Sequence, residues 1–495
     1  MPKSKLRSSM SIVEVDSIQA TREKIDIETV TVNNRVIRRP RFLRAQVSPG
    51  FRTFGSIETD EVEYDNYVNW TITKAVQSIK WAKAFGGSAY DDAWAVEVAP
   101  NGDIVVVGYT ESFGDSNGDV WILRLDENGN IKWQKAYGGS DWDVARGVAI
   151  AQNGDIIVVG RTYSFGNGSS DAWVLRLDEN GNIKWQKTYG GGSIDGAWAV
   201  TVADNGDIIV VGFTQSFGAG SSDVWVLRLD ENGNVIWQKA YGGVHQDEAY
   251  GVTIAPNGDI IVVGWVGGLG AGSWDAWVLR LDANGNVKWQ KAFGESDDDE
   301  AWAVTVADNG DIIVVGYTRS FGAGSYDVWV LRLDENGNVK WQKAYGGSDW
   351  DGVWDVKTVS NGDIVIAGYT NSFGAGDYDI WILRLDENGN IKWQKAYGGI
   401  GDDEATGLAI ADNGDIIVVG FTNSFGAGDY DIFVLRLDGN GDTNANLLVI
   451  TETSCITTDT NCVVTDTSCS VTTTSCAVAN SNSKIVETNC TVTNL

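Results

Sequence analysis

Two sets of aspartates are the first residues in this sequence that could do chemistry. Asp91, Asp143, Asp195, Asp247, Asp299, Asp351 and Asp403 recur at one fixed interval, and Asp119, Asp171, Asp223, Asp275, Asp327, Asp379 and Asp431 recur at the same interval. Carboxylates placed in repeated loops could hold a hard cation such as calcium, which takes roughly six to eight oxygen ligands. They could equally accept backbone N–H groups and cap the loops that carry them. A second constellation breaks the repeat. The only histidine, His245, stands beside Asp247, and the loop that reads YTxSFGAG elsewhere becomes WVGGLGAG over 265–272, adding Trp265 close to Trp274. An aromatic pair beside His245 and Asp247 could stack on the apolar face of a sugar.

Catalytic constellations are scarce. One histidine excludes a histidine-rich metal centre and makes any Ser-His-Asp arrangement depend on His245, with no nucleophile motif near it. Carboxylates are abundant, most densely at Glu295, Asp297, Asp298, Asp299 and Glu300, so a carbohydrate-active hydrolase or lyase working through an acidic pair stays open.

The elements that must position these residues follow from self-similarity. Trp81, Trp133, Trp185, Trp237, Trp289, Trp341 and Trp393 are each 52 residues apart, without insertion or deletion. Within one period, AWAVTVA alternates as a half-buried strand, DNGD turns, and IIVVGY is an apolar run suited to a strand covered on both faces. A longer loop, DVWVLRLD, the turn ENGN and VKWQKAYGG complete four strands. Four-stranded antiparallel units repeated radially make a propeller, an all-β fold in which each blade covers its neighbours. The first Trp strand has no set before it and the last set has no Trp strand after it. Joined, they close seven blades with an outer strand taken from the N-terminal side.

The pattern GG…D.A..V….NGDI.VVG.T.SFG.G..D.W.LRLD.NG…W over residues 79–438 resembles the SBBP-type β-propeller repeats of bacterial and archaeal surface and secreted proteins. The resemblance implies the fold and little about activity. Hairpin alternation puts the NGD and ENGN turns on one face of the disc and the longer GG-to-A and SFGAG loops on the other, where function is expected.

Three regions result: a basic, β-prone arm over 1–78, the propeller over 79–438, and a Thr/Ser/Cys-rich repeat over 439–495. The formal net charge is -30, yet residues 1–53 carry a net of +6, so nucleic acid is not the expected partner of the body. In the arm, KIDIETVTVNNRVI and YVNWTITKAV read as strands and RVIRRPRFLR is the basic patch. Cys455, Cys462, Cys469, Cys476 and Cys490 step by 7, 7, 7 and 14 residues. Thr, Ser and Asn dominate that repeat, which predicts short β segments rather than a helical heptad. Five cysteines cannot all pair within one chain, so in an oxidising setting they predict a disulfide between subunits or a free thiol. Sequons stand at Asn69, Asn167 and Asn489.

No apolar run long enough for a transmembrane helix and no secretory leader is visible. The expectation is a noncatalytic structural or adhesive subunit of an extracellular, cell-surface or virion assembly, with the cytoplasm left open. The propeller would be displayed and residues 1–78 and 439–495 would make the subunit contacts. A glycan-binding module is the alternative.

Overall fold

The computed structural model describes residues 80–114 and 117–443 in full, and outside them the backbone of short strands in the arm and the tail. Two units are separate by contact: residues 1–76 and residues 77–495. In the first, Ile27–Val32 and Arg35–Pro40 form an antiparallel hairpin and Met10–Ile12 pairs with Phe54–Ile57. The expected strand in YVNWTITKAV and the five cysteines lie outside the described residues. Among the described residues no helix is long and apolar enough to cross a membrane.

The second unit is a seven-bladed propeller of antiparallel sheets. Blade 1 runs from its inner strand Asp91–Val98 through Ile104–Thr110 and Asp119–Leu125 to its outer strand Ile131–Gly138, and blades 2 to 6 repeat it. Blade 7 takes Asp403–Ile410, Ile416–Thr422 and Asp431–Leu437 from the end of the repeats and Trp81–Gly86 from their beginning, with Phe433 opposite Ala84 and Arg436 opposite Trp81. This is the closure that counting the repeat pieces demands. Successive inner strands pack on one another around the whole ring, the last on the first.

The core lies between blades. At the closing seam Trp81, Phe85, Ile432 and Val434 of blade 7 meet Ile104, Val106 and Trp121 of blade 1. Trp121, Trp173, Trp225, Trp277, Trp329 and Trp381 of the third strands are fully buried. Side chains of that size contribute on the order of 150–250 Å² of covered surface each, which is why this fold is so rich in tryptophan.

Polar locks join the blades on the short-turn face. Arg124 Nε donates to Asp103 Oδ2 at 2.8 Å within blade 1, while its Nη1 reaches Glu179 O of blade 2 at 2.6 Å. Trp133 Nε1 donates to the same carbonyl at 3.0 Å, and Tyr137 OH donates to Gly181 O at 2.7 Å. Each ENGN turn is thus held by the preceding blade. At the seam Arg436 Nη1 donates to Glu127 O at 2.8 Å, so the ring is locked right round. Burial raises the Asp103 carboxyl, but hydrogen bonds from Lys132 and Arg124 outweigh it and hold the group below its usual range.

The tail adds a fifth strand to every blade. Val449–Glu452 pairs with the outer strand of blade 6, and the next five tail strands pair in turn with blades 5, 4, 3, 2 and 1. Thr491–Asn494 ends on blade 7 beside Trp81–Gly86. The seven-residue period of the tail is therefore one step per blade: seven extended residues reach at most roughly 23–25 Å. The result is a belt that covers all seven outer sheet edges, which would otherwise offer unpaired backbone groups.

Candidate functional site

The two aspartate rings occupy the long-loop face, and in most members the protein's own groups fill one carboxylate oxygen or both, while Oδ1 of Asp143, Asp327, Asp403 and Asp431 has no hydrogen-bond partner among the described residues. Asp351 Oδ2 accepts from Gly347 N at 2.7 Å and Ser372 Oγ at 2.8 Å, and its Oδ1 accepts from Thr370 Oγ1. Asp379 Oδ2 of the second ring accepts from Ala375 N at 2.8 Å and Gly376 N at 3.0 Å. A side chain at Gly398 would fall 2.0 Å from Asp379 Oδ1, which explains the glycine that ends each outer strand. Both rings staple loops together. Among the described residues no three His, Cys, Asp or Glu side chains are grouped so that they could hold a metal ion.

Blade 4 departs from this scheme. Val266 and Gly268 stand where the other blades have a threonine and a serine, so Asp247 keeps only the amides of Gly243 at 2.6 Å and Gly267 at 3.0 Å. With fewer donors, burial dominates and pushes the Asp247 carboxyl up to about 6. His245 and Trp274 line a cleft of about 410 Å³ with Ser221, Val244 and Gln246. Trp274 is 40% exposed, whereas Trp265 is 6% exposed and lies behind it with ring centroids 5.2 Å apart. The cleft therefore unites His245 with Trp274, while Asp247 staples a loop and Trp265 turns its Nε1 to Tyr250 OH at 3.0 Å.

A second site forms at the axis. Each inner strand carries a β-bulge, and the residue left out of the ladder is Trp94, Arg146, Trp198, Tyr250, Trp302, Trp354 or Thr406. Bulges re-aim side chains, and here they send these residues inward. Six of them make a closed circuit. The Arg146 guanidinium lies 3.6 Å from the Trp94 ring and 4.7 Å from Trp198; Trp198 meets Tyr250 at 5.1 Å; Tyr250 stacks on Trp302 at 4.0 Å; Trp302 meets Trp354 at 4.6 Å; Trp354 returns to Trp94 at 5.5 Å. Thr406 is too short to take part and instead donates to Ala93 O at 2.7 Å.

On the long-loop side of this plug sit four carboxylates, Asp92, Glu248, Glu300 and Glu404, each two residues before its plug residue. The register places Tyr109, Trp265, Tyr317 and Phe421 opposite them. Burial pushes Asp92, Glu300 and Glu404 each up to about 7. The Arg146 charge and the Trp94 hydrogen bond pull Asp92 only part of the way back. Burial also raises Glu248, with Tyr250 and Arg161 opposing. Asp92 is 4% exposed, and among the described residues its Oδ1 has no hydrogen-bond partner, nor do Nε and Nη1 of Arg146. Below the plug, Lys357 lies 3.5 Å from Asp355 and its charge opposes the burial that raises Glu97.

The repeats themselves mark this axial mouth. The outer strands, the NGD and ENGN turns and the third strands are close to identical from blade to blade, while the column of Asp92, Val144, Gly196, Glu248, Glu300, Gly352 and Glu404 changes almost every time. The column of Tyr109, Arg161, Phe213, Trp265, Tyr317, Tyr369 and Phe421 changes too. Laying the repeats over one another would have found both columns, because their signal is the departure from the repeat rather than any motif.

Comparison with known proteins agrees with the fold. The domain of unknown function described as the DUF5122 beta-propeller matches residues 151–183 and 360–391. The match supports a propeller repeat without singling out the SBBP type. The "Regulatory protein FlaEY" of Caulobacter vibrioides is 26% identical over 318 residues, 51% of this chain and 33% of that protein. An uncharacterized protein of Aquifex aeolicus is 27% identical over 141 residues, 28% of this chain and 40% of its own length. The chain thus spans about a third to two fifths of the length of these curated relatives. Among solved structures, Sqt1 from Chaetomium thermophilum covers 74% of this chain and 85% of its own at 13% identity, with a TM-score of 0.42.

Proposed function

We propose that this chain is a noncatalytic binding propeller that captures, at the axial mouth of its long-loop face, a ligand presenting a cationic group on an apolar or ring-bearing body. One observation carries the reading: in a chain of near-identical repeats, divergence gathers where four carboxylates, Asp92 and Glu300 buried and Glu248 and Glu404 half-buried, face aromatic walls. Arg146 and Arg161 supply two positive charges against these four acids, and a bound ammonium or guanidinium would offset part of the remainder while its flanks stack on Tyr109, Trp265 and Tyr317. Such a ligand favours the ionised carboxylates, so its affinity should rise as pH climbs through about 7.

Calorimetric titration with polyamines, lysyl and arginyl peptides and neutral glycans tests this. Binding of the cationic probes that is lost in Glu300→Gln and Glu404→Gln and unchanged in Trp274→Ala supports it. Binding of none of the cationic probes, or turnover of any probe, would overturn it. A second reading, a glycan-binding module, is favoured by the exposed Trp274 over the cleft beside His245. Glycan binding abolished by Trp274→Ala alone would move the ligand to that cleft.

A further inference from the structure

Seven tail strands meet seven outer strands in one register. The first residue of each tail strand lies opposite the glycine that ends the outer strand, as Val449 opposite Gly398 and Lys484 opposite Gly138, and the fourth lies opposite a lysine. The edges are nearly the same peptide: KAYG in four blades, KAFG in two and KTYG in one. The tail strands are likewise variants of one pattern, reading VITE, ITTD, VVTD, SVTT, AVAN, KIVE and TVTN, with a β-branched second residue in all seven and threonine third in five. Recognition therefore runs through the backbone ladder, and nothing in the pairing ties a given tail strand to a given blade. A seven-residue shift reproduces the same register one blade away. In register Glu452, Asp459, Asp466 and Glu487 fall opposite Lys395, Lys343, Lys291 and Lys135, but every outer strand carries that lysine, so the charge assigns no tail strand to a particular blade.

We infer that the outer edges form a set of interchangeable strand receptors, and that the tail of a second copy of this chain occupies them in trans, linking propellers through exchanged belts. Each exchange conserves the ladder: the four pairs given up in one copy are remade in the other. What holds a tail on its own propeller is tethering alone, which corresponds to an effective concentration of order mM. Exchange is therefore set by protein concentration and by crowding of copies, and the blade-by-blade equivalence lets it stop after any number of strands. The proposal is independent of the axial ligand.

Register partners give a direct test. In full-length chains whose five native cysteines are replaced by serine, one tagged population carries Lys135→Cys and a differently tagged one carries Glu487→Cys, positions that face each other across the ladder. After mixing at increasing total concentration, mild denaturation, recovery and oxidation, a nonreducing gel should show a covalent band bearing both tags. Its share should grow roughly a hundredfold between about 1 μM and about 100 μM, both well below the tethering limit. A chain carrying both substitutions must close within itself at low concentration, which checks the register. Closure within the double variant with no two-tag band at any concentration overturns the exchange, and failure of the double variant to close overturns the register from which it is inferred.

Discussion

The two faces of the disc are built from the same repeats and have diverged in opposite ways. On the short-turn face the Asp–Arg–Lys locks and the turn carbonyls recur from blade to blade, with Arg124, Arg176, Arg280 and Arg332 all pairing with the aspartate of the NGD turn at 2.7–2.8 Å. On the long-loop face the aspartate staples recur, but the positions nearest the axis change with almost every blade. The difference teaches where a repeat protein keeps its freedom. The Asp–Arg pair of the lock is kept in all seven blades and its lysine in six, Ile236 standing in the third, whereas a side chain pointed at the axis answers to its own blade and to whatever lies in the mouth.

The comparison breaks most readily in what the blades share. Trp225→Ala should cost about 3–5 kcal/mol, because it empties a fully buried position between two blades. Denaturant unfolding will show it, and a loss no larger than that of Trp302→Ala at the axis would erase the distinction between the shared positions and the axial ones. Tyr189→Phe should cost about 1–3 kcal/mol by leaving Gly233 O unsatisfied, again read from the unfolding midpoint.

A pH series sharpens the other side of the comparison. Asp92, Glu300 and Glu404 have carboxyls raised in the folded chain, so folding binds protons there. Their contribution to stability is full below the ordinary carboxylate range and is lost as pH rises through about 7. Asp103, Asp155 and Asp311 on the short-turn face are lowered, so they lose stability only as pH falls below the ordinary range. Melting temperature should therefore drop by a few degrees between about pH 5 and pH 8, and Glu300→Gln should flatten that slope while leaving the acid limb unchanged.

The smallest effect lies in blade 4. Val266→Thr restores a hydroxyl near Asp247 and should lower that carboxyl toward the values of its sister blades, with a gain of about 0.5–1.5 kcal/mol at neutral pH. Titration of Asp247 by NMR would show the shift, and an unmoved titration would mean that the missing hydroxyl is not what separates this loop from the others.

Much of this architecture is legible before any coordinates. The 52-residue spacing of Trp81 and its successors, the leftover outer strand and the alternation of hairpins yield blade count, closure and facial placement, because each is a matter of counting and of strand direction. The aspartate rings are legible as residues, and their two readings differ only in whether an ion or the backbone fills the carboxylate. The plug is harder to see. Trp94 and Trp302 sit in an ordinary period-2 pattern, and only the bulge, a backbone event with no residue signature of its own, turns them toward the axis. The belt is harder still. VITE or TVTN reads as a short strand, but a strand that docks through its backbone carries no mark of the edge it joins, so the seven-residue period predicts β structure without predicting its place.

That belt runs against the order of the blades, from blade 6 down to blade 1 and then to blade 7, and its last strand rests beside the strand that begins the ring. Mechanically the far end of the chain is a zipper of seven short segments laid over a disc that cannot open at a single point. A pull on Asn494 would release four residues at a time, each release a separate small event, and the blades beneath would feel no load until the whole girdle had come away.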